Sequence, residues 1–406
     1  MAVDGAEVNT RRELAEIHLL AQAGMGRNVG FAANKVFAGP LLEALGASHP
    51  VIGVILGMEG LFGVLLSPLT GWASDRTSAA WLRRRIYVLV GLPVAAAAWV
   101  AFCMAHSQVL AVSGLMVFYI FENSMTSPYQ AWMPDIVAKR NWGLASGYLN
   151  AWWLFGNLLS FLAIPLLWKA THTGAYLATG LIMAGSGLVT GLAVHDRVSP
   201  GIADGPGETA TRGAMRRLLR GDMLLFLVAQ ACAWLSFEGA ASFFTLFMVT
   251  TVHGTVLDAA LAMALFSVFG VVAAAAAGKL YHRFSSRSAL IWSMGAYAVI
   301  SLLGYLAHAV WFIMLFMPIT GALWGAVQTV SFAYAVQLLD RTLPGEGENW
   351  RATLYGLMNV AQSAGLLLAA PFVGLLVQAA GGAYSVMFGV AALAMAAGAV
   401  VMARVR

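Results

Sequence analysis

The chain has 406 residues, of which 60% are hydrophobic and 10% charged, and its mean hydropathy is +0.78. Soluble domains contain about 45–50% apolar and about 25% charged residues, so this composition excludes a soluble globule. A net charge of +5 would suit nucleic acid, but the basic residues lie in short loops between long apolar segments. The composition therefore predicts a polytopic membrane protein with lipid, and not nucleic acid, as its surroundings.

Twelve apolar segments follow one another along the chain, each long enough for a membrane helix of about 20 residues. Because backbone groups cannot stay unpaired in lipid, we expect an all-α fold. The segments predict a cytoplasmic tail (1–13), a first six-helix bundle (14–195), a linker (196–220) and a second six-helix bundle (221–403). The predicted spans are 14–43, 50–73, 86–106, 108–134, 142–168, 174–195, 221–250, 256–279, 287–307, 309–338, 351–378 and 380–403.

The distribution of basic residues orients these spans. Twenty of the 23 Lys and Arg residues fall in loops on the side of the amino terminus. Positive charge collects on the cytoplasmic side of membrane proteins, so both termini are expected inside. The pattern fits a multi-pass protein of a cell membrane, most simply a bacterial inner membrane.

The longest hydrophilic stretch divides the spans six and six. Its Gly, Pro and Ser content predicts a flexible linker, and the sequence AMRRLLR (214–220) could lie as a basic turn against anionic lipid.

Gly147 and Asn150 recur 209 residues later as Gly356 and Asn359, at matching places in the two halves. A constant offset near half the chain length indicates an internal duplication.

Five ionisable side chains fall well inside predicted spans: Arg27, Lys35, Glu59, Glu122 and Glu238. Such residues are costly in a membrane and point to function. Counted in residues from the span ends, Arg27 and Glu122 lie near the middle of the membrane, and Lys35 and Glu59 lie near its outer face. We therefore expect two ion pairs, Arg27 with Glu122 and Lys35 with Glu59. Glu122 is the leading candidate for proton coupling, with a permanent structural pair as the alternative.

Glu238 has no basic residue at its depth in the second half of the sequence. A buried carboxylate favours its protonated form, which suits a proton carrier. Two alternatives stay open, since Glu238 could reach Arg27 or could donate a hydrogen bond to a neighbouring helix.

Amides and indoles on the spans that face a central cavity predict a site for a polar solute. Amides bond hydroxyl groups, and aromatic rings stack on the C–H faces of sugars. The alternatives are interfacial anchoring for Trp and contacts between helices for Asn. The candidate substrate-binding residues are Asn28, Asn34, Trp153, Asn157, Trp324, Gln328, Asn359 and Gln362.

The stretch from Gly71 to Arg85, GWASDRTSAAWLRRR, concentrates charge at one membrane surface. Gly71 allows close helix contact, Asp75 and Arg76 could form an ionic latch, and the three arginines are expected to face the cytoplasmic leaflet. Topology determinants alone are the alternative. The candidate cytoplasmic gate comprises Gly71, Asp75, Arg76, Arg83, Arg84, Arg85 and Asp135, the last as a helix-end partner of Lys139, Arg140 or this loop.

The G-x-x-x-D-R-x-x-x-x-x-x-R-R-R loop and the six-plus-six duplication resemble the major facilitator superfamily over the whole chain. Within that superfamily, PLTGWASDRTSAAWLRRRIYVLVG (68–91) and YQAWMPDIVAKRNWGLASGYLNAWWLFGN (129–157) are similar to the sucrose/proton symporters and related sugar transporters. Leu82 and Ile86 replace a glycine and a proline of that pattern. Drug exporters carry an arginine in span 4, where this chain has Glu122 and Asn123.

These observations favour a proton-coupled symporter of a sugar or glycoside that works by alternating access as a monomer. Protons are favoured over sodium as the coupling ion. The alternative is a proton-coupled exporter of a hydrophobic or amphiphilic metabolite or drug, and a membrane scaffold would gain nothing from mid-membrane charges. Histidines lack metal spacing and no phosphate loop is present, so we expect no metal, no cofactor and no enzymatic activity.

Overall fold

The computed structural model describes residues 2–77, 83–137, 142–194, 213, 215–280, 285–344 and 347–405, and the regular structure in these ranges is helical throughout. The first half contains α1 (Ala2–Ala44), α2 (His49–Arg76), α3 (Arg85–Cys103), α4 (Gln108–Ile136), α5 (Trp142–Leu158) and α6 (His172–Ala193). The second half contains α7 (Gly221–Thr250), α8 (Val256–Leu280), α9 (Ser286–Leu302), α10 (Val310–Thr342), α11 (Gly347–Ala379) and α12 (Val386–Arg404).

Eleven helical segments of the described chain are long and apolar enough to cross a membrane, by length and composition. The first helix is not among them, although the sequence predicts a span at 14–43. Arg27, Lys35 and the neighbouring amides Asn28 and Asn34 lower its hydropathy. Both amides are buried, so α1 is shielded by other helices and does not need an apolar surface of its own.

The helices group into two compact units by their contacts, and each is described by itself. Met1–Gly46 and Leu65–Gly201 form the first unit, and Ala47–Val64 and Ile202–Arg406 form the second. The predicted bundles differ from this division at α2, whose first part belongs to the second unit. In that unit, a Cβ atom added at Gly57 would lie 2.8 Å from Pro371 Cδ, so glycine allows α2 to lie close to α11.

The same helix pairings occur in both halves. In the first half α1 packs on α5 and α6, and α3 packs on α4 and α6. In the second half α7 packs on α11 and α12, and α9 packs on α10 and α12. Each pairing recurs six helices later, as the predicted duplication requires.

A π-helical segment, Leu159–Ala163, extends α5 and leads into a last α-helical stretch, Ile164–Ala170. Pro165 has no N–H to donate to the carbonyl four residues earlier, which favours a local change of register. Within this segment Ser160 Oγ donates to the carbonyl of Val29 at 3.0 Å. The segment therefore ties α5 to the buried helix α1 just beyond the candidate site, where π-bulges are common.

Gly156 marks the closest approach of α5 to α1. A Cβ atom built at this position would lie 2.5 Å from the carbonyl oxygen of Met25, which is backbone and cannot rotate away. On the same helix, a Cβ atom at Gly147 would meet nothing within 4 Å. The α1–α5 contact thus requires glycine at one position and accepts a side chain at the other.

We expect Gly156→Ala to lower the free energy of unfolding by about 1–3 kcal/mol through overpacking of the α1–α5 contact. Thermal unfolding in detergent measures the change. Gly147→Ala is the matched control and should leave the midpoint equal or slightly higher, because alanine is the better helix former. Equal midpoints for Gly156→Ala and the wild type would show that these helices do not pack as described.

Candidate functional site

The centre of the first unit is an ion pair between α1 and α4. Arg27 Nη2 lies 2.5 Å from Glu122 Oε1, and the side chains are 22% and 2% exposed. The pairing predicted from depth is therefore confirmed, although the angles at Oε1 do not make it an aligned hydrogen bond. Arg27 Nε is buried and has no hydrogen-bond partner among the described residues. A guanidinium has five N–H donors, so this one retains unused donor capacity.

The amides next to this pair join α1 to α5. Asn28 Nδ2 donates to Asn157 Oδ1 at 2.5 Å and to the carbonyl of Trp153 at 2.8 Å. Both asparagines are buried, so the described contacts are those expected of amides that hold helices together. Trp153 is 44% exposed, and its indole is accessible on the surface of the first unit.

A second polar contact joins α1 to α4 two turns along from the ion pair. Asn34 Nδ2 donates to Tyr119 Oη at 3.1 Å, and Tyr119 Oη lies 3.3 Å from Asn34 Oδ1. Tyr119 is not among the residues that the sequence predicts for the site. Its position three residues before Glu122 is the available signal, because residues i and i+3 share a helix face.

The predicted roles of the other three ionisable residues, Lys35, Glu59 and Glu238, stay predictions. Lys35 Nζ lies 4.9 Å from the centroid of the Phe31 ring, a cation–π contact within α1. Glu59 is buried and belongs to the second unit, so its pairing with Lys35 stays a prediction. Glu238 is also buried, in α7, and its role stays a prediction.

The end of the first unit that carries the opening loop is built around Arg84. Arg84 Nε donates to Asp135 Oδ2 at 3.1 Å and Nη1 donates to Ser74 Oγ at 2.9 Å, while Ser74 in turn donates to the carbonyl of Arg83. Arg84 is 4% exposed, so the expectation that it faces the lipid leaflet is wrong. The pair with the partly exposed Asp135 carboxylate explains why, since a paired guanidinium is accommodated inside a protein. The expected contact of Asp135 with the opening loop is therefore observed, whereas Lys139 and Arg140 lie outside the described residues.

Arg85, another residue of the predicted gate, contributes contacts at a helix end. Arg85 donates to the carbonyls of Gly191 and Leu192 at the end of α6, the second at 3.3 Å. Such contacts satisfy carbonyls that a helix end leaves unpaired.

Gly71 brings α2 against α4. A Cβ atom at this position would lie 3.2 Å from Ser127 Cβ, so the predicted close helix contact is confirmed. The side chains of Asp75 and Arg76 lie outside the described part of the structure, and the ionic latch stays a prediction.

One substrate candidate of the second unit, Trp324, belongs to an aromatic cluster. Trp324 is 8% exposed, stacks on Phe237 at 4.5 Å between ring centroids, and meets Trp234 edge-on at 5.0 Å. Gln328, one turn along α10, has a buried Nε2 without a hydrogen-bond partner among the described residues. Asn359 and Gln362 are half-buried on α11. The cluster packs as core, and Gln328 keeps free donor capacity.

Comparison with known proteins identifies the class of this chain. The family model of the Major Facilitator Superfamily matches residues 23–370. The chain belongs to this superfamily of transporters, and it is a multi-pass membrane transporter and not an enzyme. Over the described residues, His, Cys, Asp and Glu form no group that could hold a metal ion.

Curated relatives match part of the chain. The sucrose transport protein SUT1 of Oryza sativa subsp. japonica is 23% identical over 170 residues, which cover 36% of this chain and 32% of the relative. The membrane-associated transporter protein of Homo sapiens is 24% identical over 185 residues, 42% of this chain and 35% of that protein. This chain therefore covers about a third of the length of these relatives.

Solved structures match nearly the whole chain. A bacterial homologue of the human lysosomal transporter Spinster, in an inward-facing, unoccupied conformation, gives a TM-score of 0.73 at 15% identity and covers 96% of this chain and 95% of that one. The POT family transporter PepTSo gives a TM-score of 0.72 at 15% identity, with 96% and 97% covered. These structural similarities show that this chain has the same fold as the two transporters.

We expect Asp135→Asn to lower the free energy of unfolding by about 1–3 kcal/mol, because it removes a charged partner of the buried Arg84 guanidinium. Thermal unfolding in detergent measures the loss. The apolar double variant Arg84→Met/Asp135→Leu should recover much of it, since no buried charge remains.

Lys169→Gln, a change at an exposed position on the same unit, is the control and should stay within about 0.5 kcal/mol. An Asp135→Asn protein as stable as the wild type would mean that the pair with Arg84 contributes nothing to folding.

Proposed function

We propose that this chain is a proton-coupled symporter of a sugar or glycoside that works by alternating access. The observation that carries the proposal is the buried Arg27–Glu122 pair in a transporter of the major facilitator superfamily. The sucrose transport proteins among its relatives support the sugar substrate. Protons are favoured over sodium because the site offers one carboxylate beside an arginine, and not the oxygen cage that a metal cation requires.

The coupling step follows from the chemistry of the pair. Beside Arg27, the Glu122 carboxylate has a countercharge on the neighbouring helix. When the pair separates, the carboxylate loses that support in apolar surroundings and takes a proton. A substrate hydroxyl that bonds the free donor of Arg27 would compete with Glu122 for the guanidinium. Sugar binding and proton binding thereby become linked.

Recognition of a sugar ring would use the surface of the first unit next to the pair. Trp153 has an exposed indole, and Arg27 lies on the helix to which the backbone of Trp153 is tied through Asn28. An indole face packs against the C–H face of a pyranose, and a guanidinium donates to its hydroxyls. Gln328 of the second unit has a buried Nε2 without a hydrogen-bond partner among the described residues, and its part in substrate binding stays a prediction.

Glu122→Gln should abolish sugar accumulation driven by a pH gradient in proteoliposomes, because the amide cannot bind and release a proton. Exchange of labelled for unlabelled sugar at equal pH should persist, since exchange requires binding and alternation without net proton transfer. The double variant Arg27→Gln/Glu122→Gln also removes the charge of Arg27. If it restores accumulation, the defect of Glu122→Gln comes from the unpaired Arg27 and not from the loss of a carboxyl group that binds a proton. Undiminished accumulation in Glu122→Gln would exclude Glu122 from coupling.

Trp153→Ala should raise the KM for the transported sugar by roughly tenfold, as loss of about 1.4 kcal/mol of binding energy implies, whereas Trp153→Phe should raise it far less. Initial uptake rates over a range of sugar concentrations measure both. Trp292→Ala, at a position 78% exposed in the second unit, is the control and should leave the KM unchanged. A KM unaffected by Trp153→Ala would place recognition elsewhere.

The competing function is export of a hydrophobic or amphiphilic metabolite by proton antiport. The aromatic cluster of Trp324, Phe237 and Trp234 favours it, because stacked rings bind apolar solutes well. The direction of transport distinguishes the two functions: in oriented vesicles a symporter moves solute in the direction of proton flow, and an antiporter moves it in the opposite direction.

Cytoplasmic termini in a bacterial inner membrane are inferred from the positive-inside pattern.

A further inference from the structure

Four arginines converge on one cavity of the second unit. The cavity, of about 640 Å³, is formed where the end of the linker meets the start of α7 and the end of α10. Arg216, Arg217 and Arg220 line it from the linker side and Arg341 from α10, with Asp222 as the acidic residue of the lining. Positive charge therefore dominates the cavity.

Three of the four arginines have no described partner for their charge. Arg216, Arg220 and Arg341 form no ion pair or hydrogen bond with a described residue through their side chains. Arg216 and Arg220 are four residues apart in sequence, and both line the same cavity as Arg341. Like charges gathered around one cavity repel each other, so the arrangement costs free energy unless an anion occupies the cavity.

The backbone adds donors to the same place. α7 begins at Gly221, and its N-cap residue, Arg220, has extended backbone and no capping hydrogen bond from its side chain. The first N–H groups of a helix lack intrahelical acceptors, and the helix dipole favours negative charge there. Gly221 and Asp222, which carry such groups, both line the cavity.

A buried hydroxyl lies on α10, one turn before the cavity lining. Tyr334 precedes the lining residue Leu338 by four residues, and it interacts electrostatically with Arg341, Arg287 and Asp222. Its Oη is buried and has no hydrogen-bond partner among the described residues. An unsatisfied buried hydroxyl next to clustered arginines is a second and independent sign that a polar group belongs here.

We propose that this cavity binds a phosphate group, either as the headgroup of an anionic lipid or as a free phosphate ester. Arginine suits phosphate because its planar guanidinium donates two parallel hydrogen bonds to the oxygens. The arginine-rich loops belong to the side where anionic lipid is expected, and Leu219 and Leu224, beside the cavity in sequence, are exposed and could contact acyl chains. The site lies apart from Arg27 and Glu122 in sequence and unit, so it does not depend on the proposed transport mechanism.

Native mass spectrometry of the full-length protein in detergent, titrated with phosphatidylglycerol or phosphatidylcholine, tests this site. We expect phosphatidylglycerol to be retained at least about tenfold better, because the choline cation is repelled by the arginines. Arg216→Gln/Arg341→Gln should remove this preference, and Arg216→Lys/Arg341→Lys should keep part of it. Arg404→Gln, at an exposed arginine that ends α12, is the control and should leave it unchanged.

A competition experiment on the wild-type protein separates the two phosphate sources and needs no variant. If glycerol 3-phosphate or inorganic phosphate binds and displaces the lipid, the cavity takes free phosphate; if only phosphatidylglycerol binds, it takes a lipid headgroup. Equal retention of both lipids without binding of either soluble anion would overturn the proposal. So would a loss of preference in Arg404→Gln as large as in the double glutamine variant.

Discussion

A carboxylate that is almost completely buried has to be matched by a positive charge, and this constraint shapes the first unit. Glu122 is 2% exposed, and its partner is Arg27 on another helix. Removing two charges from water costs several kcal/mol for each ion, which only close pairing offsets. The ion pair therefore holds α1 and α4 at a fixed depth, and the amide contacts of α1 with α5 follow from that position. A buried ion pair that a proton or a substrate hydroxyl group can separate is also what the proposed coupling requires.

The two units differ in the residues that surround the buried polar groups of α1 and α7. In the first unit, α1 carries its charge and amides into the protein interior, and Gly156 lets α5 approach closely enough to bond them. In the second unit, Trp324 stacks with Phe237 in the aromatic cluster, while Glu238 is buried in the helix that corresponds to α1. The duplicated fold has thus kept its packing while its halves took on different chemistry.

Much of the fold can be read from the sequence, because membrane helices depend on apolar length and on the side that carries positive charge. The predicted span 221–250 coincides with α7. The predicted span 380–403 begins six residues too early, because Gly381 and Gly382 have positive φ values and form a turn before α12. Arg27 and Glu122 were found by depth alone. The burial of Arg84 was missed, because hydropathy records how charged a loop is and not which way a side chain turns.

Infrared difference spectroscopy of the reconstituted protein tests the central claim most directly, since the C=O stretching band of a protonated carboxyl group is distinct from the bands of a carboxylate. The account predicts that a protonated-carboxyl band appears when the pH is lowered in the presence of transported sugar, and that this band is absent from Glu122→Gln. The same band in both proteins would contradict it, because the proton would then be carried by a different residue.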